Sequence, residues 1–166
     1  MSKLCKICHT KSVPPLGPKD AEILIIGEFP GQAEIDYGVP FVGPTGKILK
    51  AELGRVGMDF RQCRVANLWV HAPNKNEACY DFSLSIALKE AKDRKGILLL
   101  GSECAKTFLR KGVMDVSGLE VQDDCEMLSA PLIMCAPNPA ILFHGGLGEF
   151  RLALDRFSNA VERYID

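Results

Sequence analysis

A glutamate stands on a tight turn where an apolar run ends. Ala21-Glu22-Ile23-Leu24-Ile25-Ile26 reads as a buried strand, and Gly27-Glu28-Phe29-Pro30-Gly31 follows it directly. Ten residues on comes a second glycine-rich stretch, Pro40-Phe41-Val42-Gly43-Pro44-Thr45-Gly46, which offers an aromatic ring. A carboxylate on a rigid turn beside an exposed ring suits chemistry on something flat. Read alone, the same five residues fit a plain strand-to-helix turn. A second chemical signal lies near the start, in Cys5-x-x-Cys8. The chain carries seven cysteines, an odd number, and no apolar leader precedes them. A disulfide framework is therefore not expected, and metal binding by some of the thiols is the better reading.

Elements must position these groups. Strands are expected at 21–27, from Arg64 to about Val70, at Gly96–Gly101 and at Leu132–Cys135. Helices are expected from a Thr45 cap to about Val56, over roughly 80–94, and from a Ser102 cap through Leu109. A last helix carries Leu147, Phe150, Leu154, Phe157, Val161 and Tyr164 at three-four spacing. Residues 113–128 read as a turn with short extended pieces, and Pro137–Gly146 as a loop. Pro14-Pro15-Leu16-Gly17-Pro18 reads as a connector behind the cysteine pair. Short, continuously apolar strands alternating with helices predict an α/β fold. The expected form is a three-layer α/β/α sandwich, one domain over 1–166, around a mainly parallel four-stranded sheet.

In such sheets ligands bind beyond the carboxyl ends of the strands. Glu28 follows the first strand, Asn67 lies late in the second, and Asn138 follows the fourth between two prolines. Their convergence predicts one shared pocket. The plainer alternative is that each Asn satisfies nearby backbone groups. Several other chemistries are excluded. Gly43-Pro44-Thr45-Gly46-Lys47 lacks the first glycine of a phosphate-binding loop, where Phe41 stands, and Ile48 follows the lysine. No dinucleotide fingerprint and no G-x-S-x-G elbow is present. Net charge is −1, so no bulk basic field serves nucleic acid, and binding would need a local patch. The apolar runs are too short for a bilayer, and a cytoplasmic location is expected.

Taken together, the motifs resemble the family 4 uracil-DNA glycosylases, the iron–sulfur branch of that superfamily. Cys5-x-x-Cys8 matches the amino-terminal cysteine pair, and Gly27-Glu28-Phe29-Pro30-Gly31-Gln32-Ala33-Glu34 matches Gly-Glu-Ala-Pro-Gly-x-x-Glu. Gly38-Val39-Pro40-Phe41-Val42-Gly43-Pro44-Thr45-Gly46-Lys47-Ile48-Leu49 matches Gly-x-Pro-Phe-Val-Gly-x-x-Gly-x-x-Leu. Asn67 takes the strand-two Asn, and Leu98–Gly101 matches the third strand. Asn138-Pro139-Ala140-Ile141-Leu142-Phe143 sits where the family has His-Pro-Ser-x-Leu-Leu-Arg. Three departures stand out. Asn138 replaces the family's His, Phe143-His144 replaces its Arg, and His71 holds the third cluster-cysteine position. Some relatives that trap DNA covalently place a His there too, on a long basic loop that this chain lacks.

The resemblance implies excision of uracil from DNA. Glu28 would polarise the attacking water or stabilise the sugar cation. Asn138 and the backbone N–H groups of 28–31 would stabilise the departing uracil anion. The amide of Asn138 serves that anion less well than imidazole would, so a slower enzyme is expected. Phe41 would stack on the flipped base and Asn67 would read its edge, with Gly27, Phe29, Pro30 and Gly31 shaping the pocket. Leu142 or Phe143, with His144 beside them, would meet DNA and wedge into the vacated space. Cys5, Cys8, His71 and Cys79 would hold a [4Fe–4S] cluster, with a structural Cys3His zinc site as the alternative. Cys63 is the rival for His71. A monomer acting on uracil-containing DNA is implied, with a replication or repair protein as a further partner. Two other readings stay open: a non-catalytic module that binds DNA or protein, and a glycosylase for another modified base.

Overall fold

A computed structural model describes residues 3–165. Four short apolar runs form its central sheet: β3 (Ile23–Gly27), β4 (Arg64–Asn67), β5 (Gly96–Leu100) and β6 (Leu132–Ala136). A separate hairpin, β1 (Lys3–Leu4) with β2 (Lys11–Ser12), carries the amino-terminal cysteines and was not anticipated. The sheet order is β4-β3-β5-β6 and every pair is parallel. Side chains alternate between its faces, as the pleat requires. Leu24, Ile26, Ile97, Leu99, Ile133 and Cys135 pack on one side. There they meet α3 (Glu77–Glu90), α4 (Ser102–Leu109) and the single turn α5 (Val113–Val116). Ile25, Leu98, Leu100, Leu132 and Met134 face the other way, against α2 (Pro44–Arg55) and α6 (Leu147–Val161). The expected three-layer α/β/α sandwich is present. No described helix is long and apolar enough to cross a membrane.

Several boundaries move for local reasons. The strand expected from Arg64 to about Val70, β4, stops at Asn67, because the Leu68 and Trp69 N–H groups follow the turning Gly27 and Glu28 carbonyls at 2.8 and 2.9 Å. The helix expected over 80–94 runs Glu77–Glu90, since Asn76 caps it by accepting from the Ala78 and Cys79 N–H groups. Thr45 and Ser102 do not cap. Gly43 and Gly101 take those positions, with Pro44 at the first helical position of α2. Segment 113–128 holds α5 and a 3-10 turn at Gln122–Asp124, and bridges β6 at Ser117 and Glu120. The expected loop after Pro137 winds into a 3-10 turn, Pro139–His144. A short helix, α1 (Gln32–Tyr37), is new.

One ion-pair system clamps the connector to the sheet. Glu90 receives both Nε and Nη2 of Arg64, at 2.8 and 3.0 Å, and Arg94 at 3.4 Å. Arg64 also donates to the Gly17 carbonyl at 2.6 Å, and Arg94 to those of Lys19 and Ala21. Arg64 beside it holds the Glu90 carboxyl below the usual carboxylate range. The resulting stability is present above the unfolded value of about 4.3 and is lost as pH falls through the lower folded value. Glu90→Gln strands two largely buried guanidinium groups and should cost about 3 kcal/mol at pH 7. Urea melts at stepped pH should show the gap to wild type closing below about pH 4. A gap that persists unchanged into acid would separate the clamp from the charge on Glu90.

Candidate active site

β3 exits between β4 and β5, where the helical connections diverge to opposite faces, and this is the crevice where doubly wound sheets bind ligands. A cavity of about 270 Å3 opens there, with Gly27, Glu28, Phe41, Asn67 and Asn138 in its wall. Larger hollows lie away from these strand ends, two of them around residues 57–63. Phe29 and Gly31 also line the small cavity, whereas Pro30 is buried away from it.

Glu28 and Asn138 are fixed by specific contacts. Glu28 Oε2 accepts from the Glu103 N–H at 2.9 Å, at the amino end of α4. Its Oε1 accepts from Asn138 Nδ2 at 2.7 Å. A Cβ on Gly101, whose φ is +94°, would strike that carboxylate. A glycine therefore follows β5 so that the acid can lie against a helix amino terminus, where negative charge is favoured. Cys104 packs beneath the acid. Burial, and next the Glu28 charge, push its thiol well above the ordinary value, so it is no nucleophile. Asn138 uses Oδ1 to accept from the Ala140 N–H at 2.9 Å and one amide hydrogen for Glu28. Its second amide hydrogen remains.

Phe41 is held in an unusual pose. Its φ is +58°, a region that bulky residues rarely enter, and its ring meets Phe60 edge-on with centroids 6.2 Å apart. The residue that holds its loop is Glu34, and sequence reasoning gave it no role. Oε1 accepts from the Gly31 N–H at 3.0 Å; Oε2 accepts from Val42 and Gly43 at 3.1 and 2.5 Å. One carboxylate thus staples both glycine-rich segments together. The Gly31 N–H is consequently spent on Glu34 and is withdrawn from the set expected to meet a leaving anion. The Gly-x-x-Glu spacing was the available signal, as half of a capping box.

Asn67 is 8% exposed, and among the described residues its side-chain amide has no hydrogen-bond partner. No described side-chain nitrogen or oxygen is both buried and unpaired, so the Asn67 amide stays accessible from the cavity, where water or a ligand completes it. It faces the cavity, so a planar molecule there would find one donor and one acceptor waiting. Beyond Ala140, Phe143 stands 61% exposed, while Leu142 is half-buried against the core and His144 is exposed.

The thiol and imidazole ligand atoms of Cys5, Cys8, His71 and Cys79 all lie within 4.8 Å of one another, and this set could hold metal. Hydrogen bonding from Thr10 brings the Cys8 thiol down to about 6, whereas burial raises that of Cys79. Cys63 lies apart at the foot of β4, where burial raises its thiol to about 11. It is not in the ligand set.

This architecture is that of a known group. The chain belongs to the uracil DNA glycosylase superfamily, whose family model matches residues 14–160. Among curated proteins it is similar to the type-4 uracil-DNA glycosylase of Pyrobaculum aerophilum, at 28% identity over 173 aligned positions covering 93% of this chain and 86% of that protein. It is 35% identical over 88 residues to the type-4 enzyme of Archaeoglobus fulgidus, across 47% of this chain and 44% of that one. It is 36% identical over 77 residues to that of Sulfurisphaera tokodaii, across 45% and 35%. The last two matches each span less than half of the relative's length.

Proposed function

We propose that this chain is a uracil-DNA glycosylase: it hydrolyses the N-glycosidic bond of deoxyuridine flipped out of DNA, the opening step of base-excision repair. The observation that carries this is the Asn67 amide, which opens into the same cavity as Glu28 with its donor and acceptor accessible there. Flipping costs a few kcal/mol, least for a mispaired base. Stacking on Phe41 offsets part of that cost. Asn67 donates to uracil O4 and accepts from N3–H; cytosine presents the opposite polarity at both atoms and is rejected. As the bond to C1′ breaks, charge develops in two places, positive on the sugar and negative on uracil. Glu28 stabilises the first and orients the water whose oxygen bonds to C1′. The proton of that water balances the departing uracil anion. Asn138 holds Glu28 in place with one amide hydrogen and offers the other to the anion. Phe143, the exposed apolar residue of its turn, wedges into the stack.

The resemblance also implies a [4Fe–4S] cluster. The donor atoms stand too close together for one, and no step above depends on it.

The test is incubation with uracil-containing single- and double-stranded oligonucleotides, scored for abasic sites and free uracil. Release of uracil, with none of cytosine or thymine from matched controls, is expected. Tight binding of uracil-DNA without cleavage would instead make the chain a binding module.

A further inference from the structure

The four metal-binding side chains carry an inference that is independent of the glycosylase reading. We propose that Cys5, Cys8, His71 and Cys79 hold a single tetrahedral Zn2+ ion, because the donor set is built to the scale of one ion and not of an iron–sulfur cube.

Size is the first ground. Cys5 Sγ and Cys79 Sγ are 4.0 Å apart, Cys8 Sγ and His71 Nε2 are 3.5 Å apart, and no pair in the set exceeds 4.8 Å. Zinc bonds of about 2.3 Å to sulfur and about 2.0 Å to nitrogen put tetrahedral S···S and S···N edges near 3.8 and 3.6 Å. A cube instead binds each thiolate on a different iron, and its donors stand roughly 6 Å apart. Cys5, Cys79 and His71 are all buried, so opening the set by that much means displacing core.

The hairpin is the second ground. Cys5 and Cys8 sit at the turn between β1 and β2. The Cys5 N–H donates to the Thr10 carbonyl at 2.8 Å and the His9 N–H to the Cys5 carbonyl at 2.9 Å, with His9 in the left-handed region at φ +61°. The Ile7 N–H points at Cys5 Sγ, 3.4 Å away. An N–H aimed at sulfur stabilises a thiolate, and the tight turn brings two sulfurs to one point.

His71 supplies the third. Its Nδ1 lies 2.8 Å from the Ala72 carbonyl. A carbonyl only accepts, so Nδ1 carries the proton and Nε2 keeps its lone pair for the metal. Three thiolates and one imidazole complete a closed four-coordinate shell, the form of a structural zinc site. Zn2+ with three thiolates and a neutral imidazole leaves one net negative charge on the site.

Protein purified from cells grown with both iron and zinc should contain about one zinc per chain by plasma mass spectrometry. It should lack stoichiometric acid-labile sulfide and be colourless. About four iron and four sulfide per chain, with the brown absorbance of a cluster, would overturn the assignment. Cobalt exchanged into the site should give the intense visible bands of a tetrahedral thiolate complex, and His71→Cys should move them to lower energy. Identical cobalt spectra in wild type and H71C would remove His71 from the shell and sink the proposal. Metal content and spectra are read without reference to uracil release, so this test and the oligonucleotide assay fail separately.

Discussion

Glu28→Gln should slow uracil release from an oligonucleotide by about a thousandfold, the scale of a lost catalytic base or charge stabiliser. Affinity for uracil-DNA should stay within a few-fold of wild type. The substitution keeps size and removes charge. It also introduces an NH2 group where the Glu103 N–H and Asn138 Nδ2 both donate, so one of the two bonds, of 2.9 and 2.7 Å, is lost. Stability should therefore fall by about 1–2 kcal/mol, which a denaturant melt would separate from the chemical loss. Single-turnover rates at saturating enzyme isolate the chemistry. Wild-type turnover in this variant would take Glu28 out of the mechanism.

Gly27→Ala should be almost as damaging with a smaller chemical change. A Cβ at this position would lie 2.6 Å from Asn67 Oδ1 and 2.7 Å from Phe41 Cζ. Both groups proposed to hold the base must then shift, and neither has room, since Asn67 and Phe41 are both buried. A displacement of that size is expected to cost about a hundredfold in excision. Unlike Glu28→Gln, it should weaken binding of uracil-DNA as well as turnover. It should also relax rejection of cytosine, because the Asn67 amide no longer sits squarely against the base edge. Unaltered kinetics on uracil would mean that the base does not enter between Asn67 and Phe41.

The sheet was legible because its four apolar runs are short, continuous and bounded by turn residues. Hence the sequence alone places Glu28, Asn67 and Asn138 at strand ends, and they do share one cavity. The helix starts were less legible. Thr45 and Ser102 look like caps, but Gly43 and Gly101 do that work, for reasons lying elsewhere in the chain. Gly43 gives its N–H to Glu34, and Gly101 makes room for Glu28. The role of Glu34 was hidden for the same reason. Its partners Val42 and Gly43 are on the far side of α1, and no local spacing rule reports such a bond. His71 was visible only by alignment to a motif. The hydrogen bond that sets its tautomer depends on how the chain bends after Asn67.

The Glu34 staple uncouples the outline of the molecule from the shape of its pocket. With Gly31, Val42 and Gly43 pinned to one carboxylate, the distance across the two glycine-rich segments no longer depends on the length of chain between them. Tyr37, 77% exposed, and the left-handed Gly38 mark the tip of that excursion. A few extra residues, or a fluorophore, could be grafted there without moving Phe41. The tip is thus a natural port for reporting on a pocket that it does not shape.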